Sequence, residues 1–143
     1  MGDDMIYTHF SLAPWDSDRW PNFHPSEKNL HCPCCGEFYL DPVALDALQA
    51  LRRRLGQPVK VNSGHRCRFH NARVGGAPRS MHKRVAFDVS LSGHRLRNLI
   101  DTARGVGFQG FGFYSTFLHL DMGRRRYWIT NGGKKRWNGL PVY

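Results

Sequence analysis

"RVAFDVSL", residues 84–91, alternates along its length, with Val85, Phe87 and Val89 on one side and Ala86, Asp88 and Ser90 on the other. Strand side chains point to opposite faces in turn, so the stretch reads as a β-strand with one apolar face and a carboxylate on the other. A second stretch, "TFLHLDM" at 116–122, repeats the pattern: Leu118 and Leu120 share one face, and Phe117, His119 and Asp121 share the opposite one. Two strands that bury one side and carry ionisable groups on the other predict a sheet with chemistry on its second face, because His and Asp there need partners or solvent.

Helices are expected on either side of residues 84–91. Upstream, Asp41 suits a cap and Pro42 the first helical position; Ala44, Leu48, Leu51 and Leu55 recur on one face, and Gly56 suits the exit. Downstream, Leu96, Leu99, Ile100 and Ala103 form an apolar stripe in a helix expected from about Gly93 to Arg104, ended by Gly105 or Gly107. "PVKVNS" reads as a short strand and "RFHNARVGGAP" as a helical turn closed by Gly75 and Gly76. "GFGFY", "TFLHLDM" and "RYWIT" predict three strands in an antiparallel meander. Residues 1–40 show no clean period and read as an irregular segment, with at most one short strand, wrapped on the core. The class is therefore α+β, a small antiparallel sheet with helices packed on it. A length of 143 residues with 41% hydrophobic residues suits one domain spanning 1–143, with a single modest core.

The 21 Lys and Arg against 11 Asp and Glu give a formal charge of +10, which calls for an anionic partner. Much of it falls in "GRRRYWITNGGKKRW", where Arg124, Arg125, Arg126, Lys134, Lys135 and Arg136 are interspersed with Tyr127, Trp128 and Trp137. This run reads either as a basic, aromatic binding surface or as a solvated turn between edge strands. The N-terminal "MGDDMIYTHFSLAPW" has no basic start and no unbroken apolar segment, so neither a signal peptide nor a membrane span is expected.

His82, Asp88 and His119 would suit one zinc ion, since two imidazoles and one carboxylate leave a fourth tetrahedral position open, as catalytic zinc sites do. Residues 61–91, "VNSGHRCRFHNARVGGAPRSMHKRVAFDVSL", together with "FGFYSTFLHLDMG", resemble the zinc D-alanyl-D-alanine peptidases and related peptidoglycan-cleaving enzymes, whose fold is shared with the Hedgehog signalling domain. The similarity runs from about Asp41 to Gly123 and rests on several motifs in order: Ser63 to Arg66, Asn71, Gly75-Gly76, Ser80-x-His82, Ala86-x-Asp88 and His119-x-Asp121. The resemblance implies a Hedgehog/DD-peptidase-like fold and a Zn2+ site at His82, Asp88 and His119. It implies Arg66 near the substrate, holding a carboxylate or a developing oxyanion, and Ser80 in the wall of the site. The implied reaction is hydrolysis of an amide in peptidoglycan stem or cross-link peptides by a carboxypeptidase or endopeptidase. A phage endolysin or virion-associated enzyme fits best, held in the host cytoplasm until release to the wall. A monomer is expected, with the basic surface favouring anionic wall polymer.

The chain departs from that pattern twice. Five residues rather than six separate His82 from Asp88, which shortens the loop before the strand. Relatives often carry a general base two or three residues before the last ligand, where this chain has Thr116 and Phe117. Asp121 is the nearest carboxylate that could take a proton, or it could orient His119 as a hydrogen-bond acceptor.

Cys32, Cys34, Cys35 and Cys67 are too few for a disulfide-rich scaffold. "CPCC" and "CRFH" place Cys32 with Cys35, and Cys67 with His70, at one spacing, which allows a second, structural metal site; buried thiols or a bridge such as Cys35–Cys67 are the alternatives. Two rival functions remain: a wall-binding or phage structural protein of the same fold with a decayed site, and a basic, zinc-containing nucleic-acid-binding protein. No nucleic-acid motif supports the second.

Overall fold

The computed structural model describes residues 5–77, 79–138 and 140. The predicted strand at 84–91 is β4 of a mixed structure whose elements run β1 Met5–Tyr7, β2 Phe38–Leu40, α1 Pro42–Leu55, β3 Val61–Ser63, α2 Arg68–Arg73, β4 Ala86–Ser90, α3 Leu96–Gly105, β5 Gly110–Phe113, β6 Phe117–Asp121, β7 Arg126–Ile129 and α4 Asn131–Arg136. The first long helix forms as its ends dictate. Asp41 accepts a hydrogen bond from Ala44 N at 3.1 Å, and Gly56 leaves the last turn at φ 66°. Helix α3 starts at Leu96 rather than near Gly93, because Gly93 takes a left-handed turn (φ 82°) that a helix cannot continue.

The main sheet has strand order β3-β4-β6-β5-β7. Its apolar face, built by Phe87, Val89, Phe111, Phe113, Leu118 and Leu120, packs in one cluster with Leu48 and Leu51 of α1 and Leu99, Ile100 and Ala103 of α3. The alternation read from the sequence therefore sorts the strands correctly: helices cover one face, and Asp88, His119 and Asp121 share the other. Leu120 is fully enclosed, so Leu120→Ala is expected to cost about 2–5 kcal/mol through lost transfer energy and a cavity. A lower urea midpoint at unchanged slope would show it.

The last strands do not form the expected antiparallel meander. β6 pairs antiparallel with β4 and β5, but β7 lies beyond β5 and pairs with it in parallel, Gly110 opposite Arg126 and Gly112 opposite Trp128. Residues 122–125 carry the chain past the start of β5, which ties the turn to side-chain contacts across that strand, described below.

Two further expectations change. Residues 5–40 do more than wrap the core: Trp20, Phe23, Leu30, Phe38 and Leu40 are buried within it, and β1 and β2 form a small antiparallel ribbon of two strands. The run after β7 is not a solvated turn but α4, whose cap Thr130 accepts from Gly133 N at 2.9 Å. A Cβ on Gly133 would lie 2.0 Å from Phe113 O, so only glycine lets α4 seat this closely. Trp137 leaves the basic run for the core, edge-on to Phe113 at 5.0 Å, while Lys134, Lys135 and Arg136 stay exposed.

Candidate metal centre and cleft

Asp88 on β4 and His119 on β6 are direct partners in the antiparallel register, so the sheet itself places them side by side. His82 arrives from a 3₁₀ turn, Met81–Lys83, where Ser80 Oγ accepts from His82 N at 3.1 Å. The shortened loop closes tightly enough to bring His82 Nε2 within 3.0 Å of Asp88 Oδ1; His119 Nδ1 reaches the same oxygen at 3.1 Å. The donor atoms of all three residues lie within 4.8 Å of one another.

Each imidazole is fixed through its other nitrogen. Gly64 O can only accept, so His82 Nδ1 donates to it at 2.6 Å and leaves Nε2 facing Asp88. His119 Nε2 donates to Asp121 Oδ2 at 2.6 Å and leaves Nδ1 facing Asp88. Ligating histidines are characteristically held this way, by a carbonyl or carboxylate on the nitrogen remote from the ion. Two buried imidazole nitrogens and a half-buried carboxylate oxygen, all preset, are a donor set that zinc accepts.

Burial pushes the Asp88 carboxyl up, but hydrogen bonds from His119 and His82 outweigh it and hold it at about 2. Burial also opposes charge on His119, yet Asp121 and Asp88 together raise it above the ordinary histidine value. The signs set a window for the metal-free protein. The depressed carboxyl contributes stability above its unfolded value near 3.9 and loses it as pH falls toward 2; the raised histidine contributes below its unfolded value near 6.5 and loses it as pH rises through its folded value. For these two groups the contribution is complete between about pH 4 and 6.5, so the difference in urea midpoint between metal-free wild type and His119→Ala is expected to shrink above that window, and a difference still growing above neutrality would contradict that.

Asp121 is fully buried and saturated. Oδ1 accepts from Gly123 N at 2.9 Å and Arg126 Nη1 at 2.8 Å; Oδ2 accepts from His119 Nε2 and from Arg126 Nη2 at 2.7 Å. Despite burial, the bonds from His119 and Arg126 keep its carboxyl well below the usual carboxylate range. Of the two roles read from the sequence, this geometry fits orienting His119 and not taking a proton, since no lone pair is left for one. Arg126, read from the sequence as part of the surface patch, instead clamps Asp121 from across the sheet.

That clamp passes over β5. Gly110 stands between Asp121 and Arg126, and Gly112 between His119 and Trp128. A Cβ on Gly110 would lie 2.1 Å from Asp121 Oδ1, and one on Gly112 would lie 2.6 Å from the Trp128 ring, which itself sits 4.8 Å from the His119 ring. Gly112→Ala is expected to displace Trp128, cost about 1–3 kcal/mol as overpacking does, and loosen metal binding. Unchanged urea midpoint and zinc affinity would show that the ring has room to move.

The metal centre opens into a cleft of about 580 Å³ walled by Arg66, Gly76, Ser80, Tyr114, Phe117 and Trp128. Arg66 Nε and, behind Gly76, Asn71 Oδ1 are buried without hydrogen-bond partners among the described residues, and Gly76 packs so closely that a Cβ would strike both side chains. Tyr114 carries no sequence signal of its own, and Trp128, expected in the basic aromatic run, stands in the cleft wall instead. Trp128 Nε1 donates to Tyr114 Oη at 3.0 Å, and the alternation of Arg126 and Trp128 along β7 was the signal for both inward residues. The cysteines are free thiols: Cys32 and Cys67 are buried, Cys34 and Cys35 exposed. His70 does not join them by its ring; its backbone N–H meets Cys67 Sγ at 3.3 Å.

His82, Asp88 and His119 at the floor of the cleft form a donor set that could hold one metal ion. The Peptidase M15 profile matches residues 21–121, and the chain belongs to that family. It is by family a zinc-dependent metallopeptidase. No curated protein matches the chain. No helix among the described residues is long and apolar enough to cross a membrane.

Proposed function

We propose that the protein hydrolyses an amide bond in peptidoglycan stem or cross-link peptides, with the chemistry centred on His82, Asp88 and His119. The observation that carries this reading is the pairing of that ligand set with a cleft whose wall holds Arg66, a cation placed to meet a peptide carboxylate or a developing oxyanion. Zinc bound there supplies Lewis acidity and activates water for attack on a carbonyl. Arg66 binds a peptide carboxylate or the oxygen on which charge develops. Tyr114 accepts from Trp128 Nε1, so its own hydroxyl proton is available to a substrate oxygen. Asp121 keeps the His119 proton on Nε2, and Arg126 keeps Asp121 in place.

The complete ligand set favours an active enzyme over a decayed wall-binding protein. A phage lysis or virion-associated setting agrees with the basic charge, which would hold the protein to anionic wall polymer. Mass analysis of products from purified muropeptides tests the reaction: loss of one residue or of a cross-link, abolished by a chelator and restored by zinc, is expected, and intact muropeptides with a fully zinc-loaded protein would end the proposal. Arg66→Ala should lower kcat/KM by about 10²-fold or more while leaving zinc content unchanged, as loss of a positioned charge-stabilising donor does. An unchanged rate would remove Arg66 from substrate.

A further inference from the structure

Cys32, Cys35 and Cys67 come from segments 32 residues apart, yet their sulfurs lie within 4.8 Å of one another. The chain is shaped to bring them there. Residues 32–36, Cys-Pro-Cys-Cys-Gly, form a closed turn in which Gly36 N donates to Cys32 O at 2.8 Å, Cys32 N donates to Glu37 O at 2.8 Å, and Gly36 takes φ 81°. A Cys-x-x-Cys turn sets two sulfurs on one side, and Cys67, at the start of α2, supplies the third.

Cys67 Sγ accepts from His70 N at 3.3 Å, which fixes this sulfur at the first turn of α2 beside the other two. A disulfide would use two of the three sulfurs and strand the third. His70 stands three residues after Cys67, so the two side chains share a face as first and fourth positions of a helix start do. Its Nδ1 is buried with no hydrogen-bond partner among the described residues.

We propose that Cys32, Cys35 and Cys67 hold a second zinc ion, with His70 turning its ring to complete a closed tetrahedral site, and that this ion fastens residues 30–37 to the start of α2. The site is structural, since four protein donors leave no open position. It borders the cleft through the chain itself: Cys67 follows Arg66, whose N–H donates to His82 O at 2.5 Å. An ion on Cys67 therefore holds the backbone that carries the substrate-facing arginine. The proposal does not depend on which reaction the cleft performs.

Native mass and metal analysis of the protein purified with zinc should find two ions per chain, and the double variant His82→Ala/His119→Ala should keep one. Iodoacetamide should modify Cys34 first in wild type, with Cys32, Cys35 and Cys67 modified only after chelation. His70→Ala in the double variant should surrender its zinc to a competing chelator faster than the double variant itself. A wild-type protein with one zinc, lost entirely in the double variant, would overturn the site, as would a disulfide among the three cysteines or Cys35 alkylated as fast as Cys34 with metal in place. Equal zinc retention with and without His70 would overturn its place as fourth donor. One zinc in wild type that survives the double variant would instead leave this site standing and refute the assignment at His82 and His119. The alkylation comparison uses wild type, so a cysteine variant that fails to fold does not spoil the test.

Discussion

His82→Ala and His119→Ala are each expected to empty the cleft's metal centre and to abolish turnover of a wall peptide while the fold persists. Asp88 and His119 are set side by side by the register of β4 and β6, Gly64 O and Asp121 hold the imidazoles from behind, and the apolar core lies on the other face of the sheet, so the fold rests on the core rather than on the metal. Removing one imidazole leaves two protein donors, too few for a catalytic zinc site. The metal contributes several kcal/mol of transition-state stabilisation, and each 1.36 kcal/mol is tenfold, so the rate should fall by at least about 10³-fold. Zinc content, circular dichroism and rate measured on one preparation decide it. Retained zinc at the cleft in both variants would sink the assignment.

Asp121→Asn should damage metal binding and stability together but leave the rate per bound zinc nearly intact. The amide cannot carry the charge that Arg126 needs, and removing one partner of an enclosed ion pair costs about 3–5 kcal/mol; Arg126 keeps some solvent contact, which places the loss toward the lower end. Loss of an acceptor behind a ligating histidine typically weakens metal affinity about 10–100-fold. A general base would behave differently: with zinc saturated, its removal would slow turnover by about 10²–10⁴-fold. A large fall in rate at full zinc occupancy would therefore restore Asp121 to the proton-transfer role that its surroundings argue against.

The convergence of His82, Asp88 and His119 was legible because a period of two is enough to put Asp88 and His119 on one face, and the ordered motifs singled out His82. The capping of α1 was equally plain, since Asp41, Pro42 and Gly56 each act within a few residues. What failed to show depends on partners remote in sequence. Three consecutive arginines look alike as charge, and only the buried carboxylate of Asp121 singles out Arg126. Trp128 and Trp137 look like surface aromatics beside basic residues until the room over Gly112 and the seat of α4 on Phe113 are known. The parallel pairing of β7 was hidden for the same reason: adjacent strands joined by a short turn ordinarily pair with each other, and here the joining residues step over a neighbour. Glycines at alternate positions of "GFGF" were the available clue, because a strand bare on one face invites side chains from both flanks to meet above it.

In most sheets a residue feels its immediate cross-strand neighbour, and influence fades one strand further out. The bare face of β5 removes the intervening layer, so β7 communicates with the ligand strand as if the two were adjacent. A substitution at the sheet's outer edge, in Arg126 or Trp128, should then register in the spectrum or affinity of the metal more strongly than a change at many positions nearer in sequence. The same arrangement ties the evolution of these positions together: an inward side chain on β5, however small, would require β6 and β7 to give up their contacts at once, so the glycines, the clamp and the ring are expected to be kept or lost as a set.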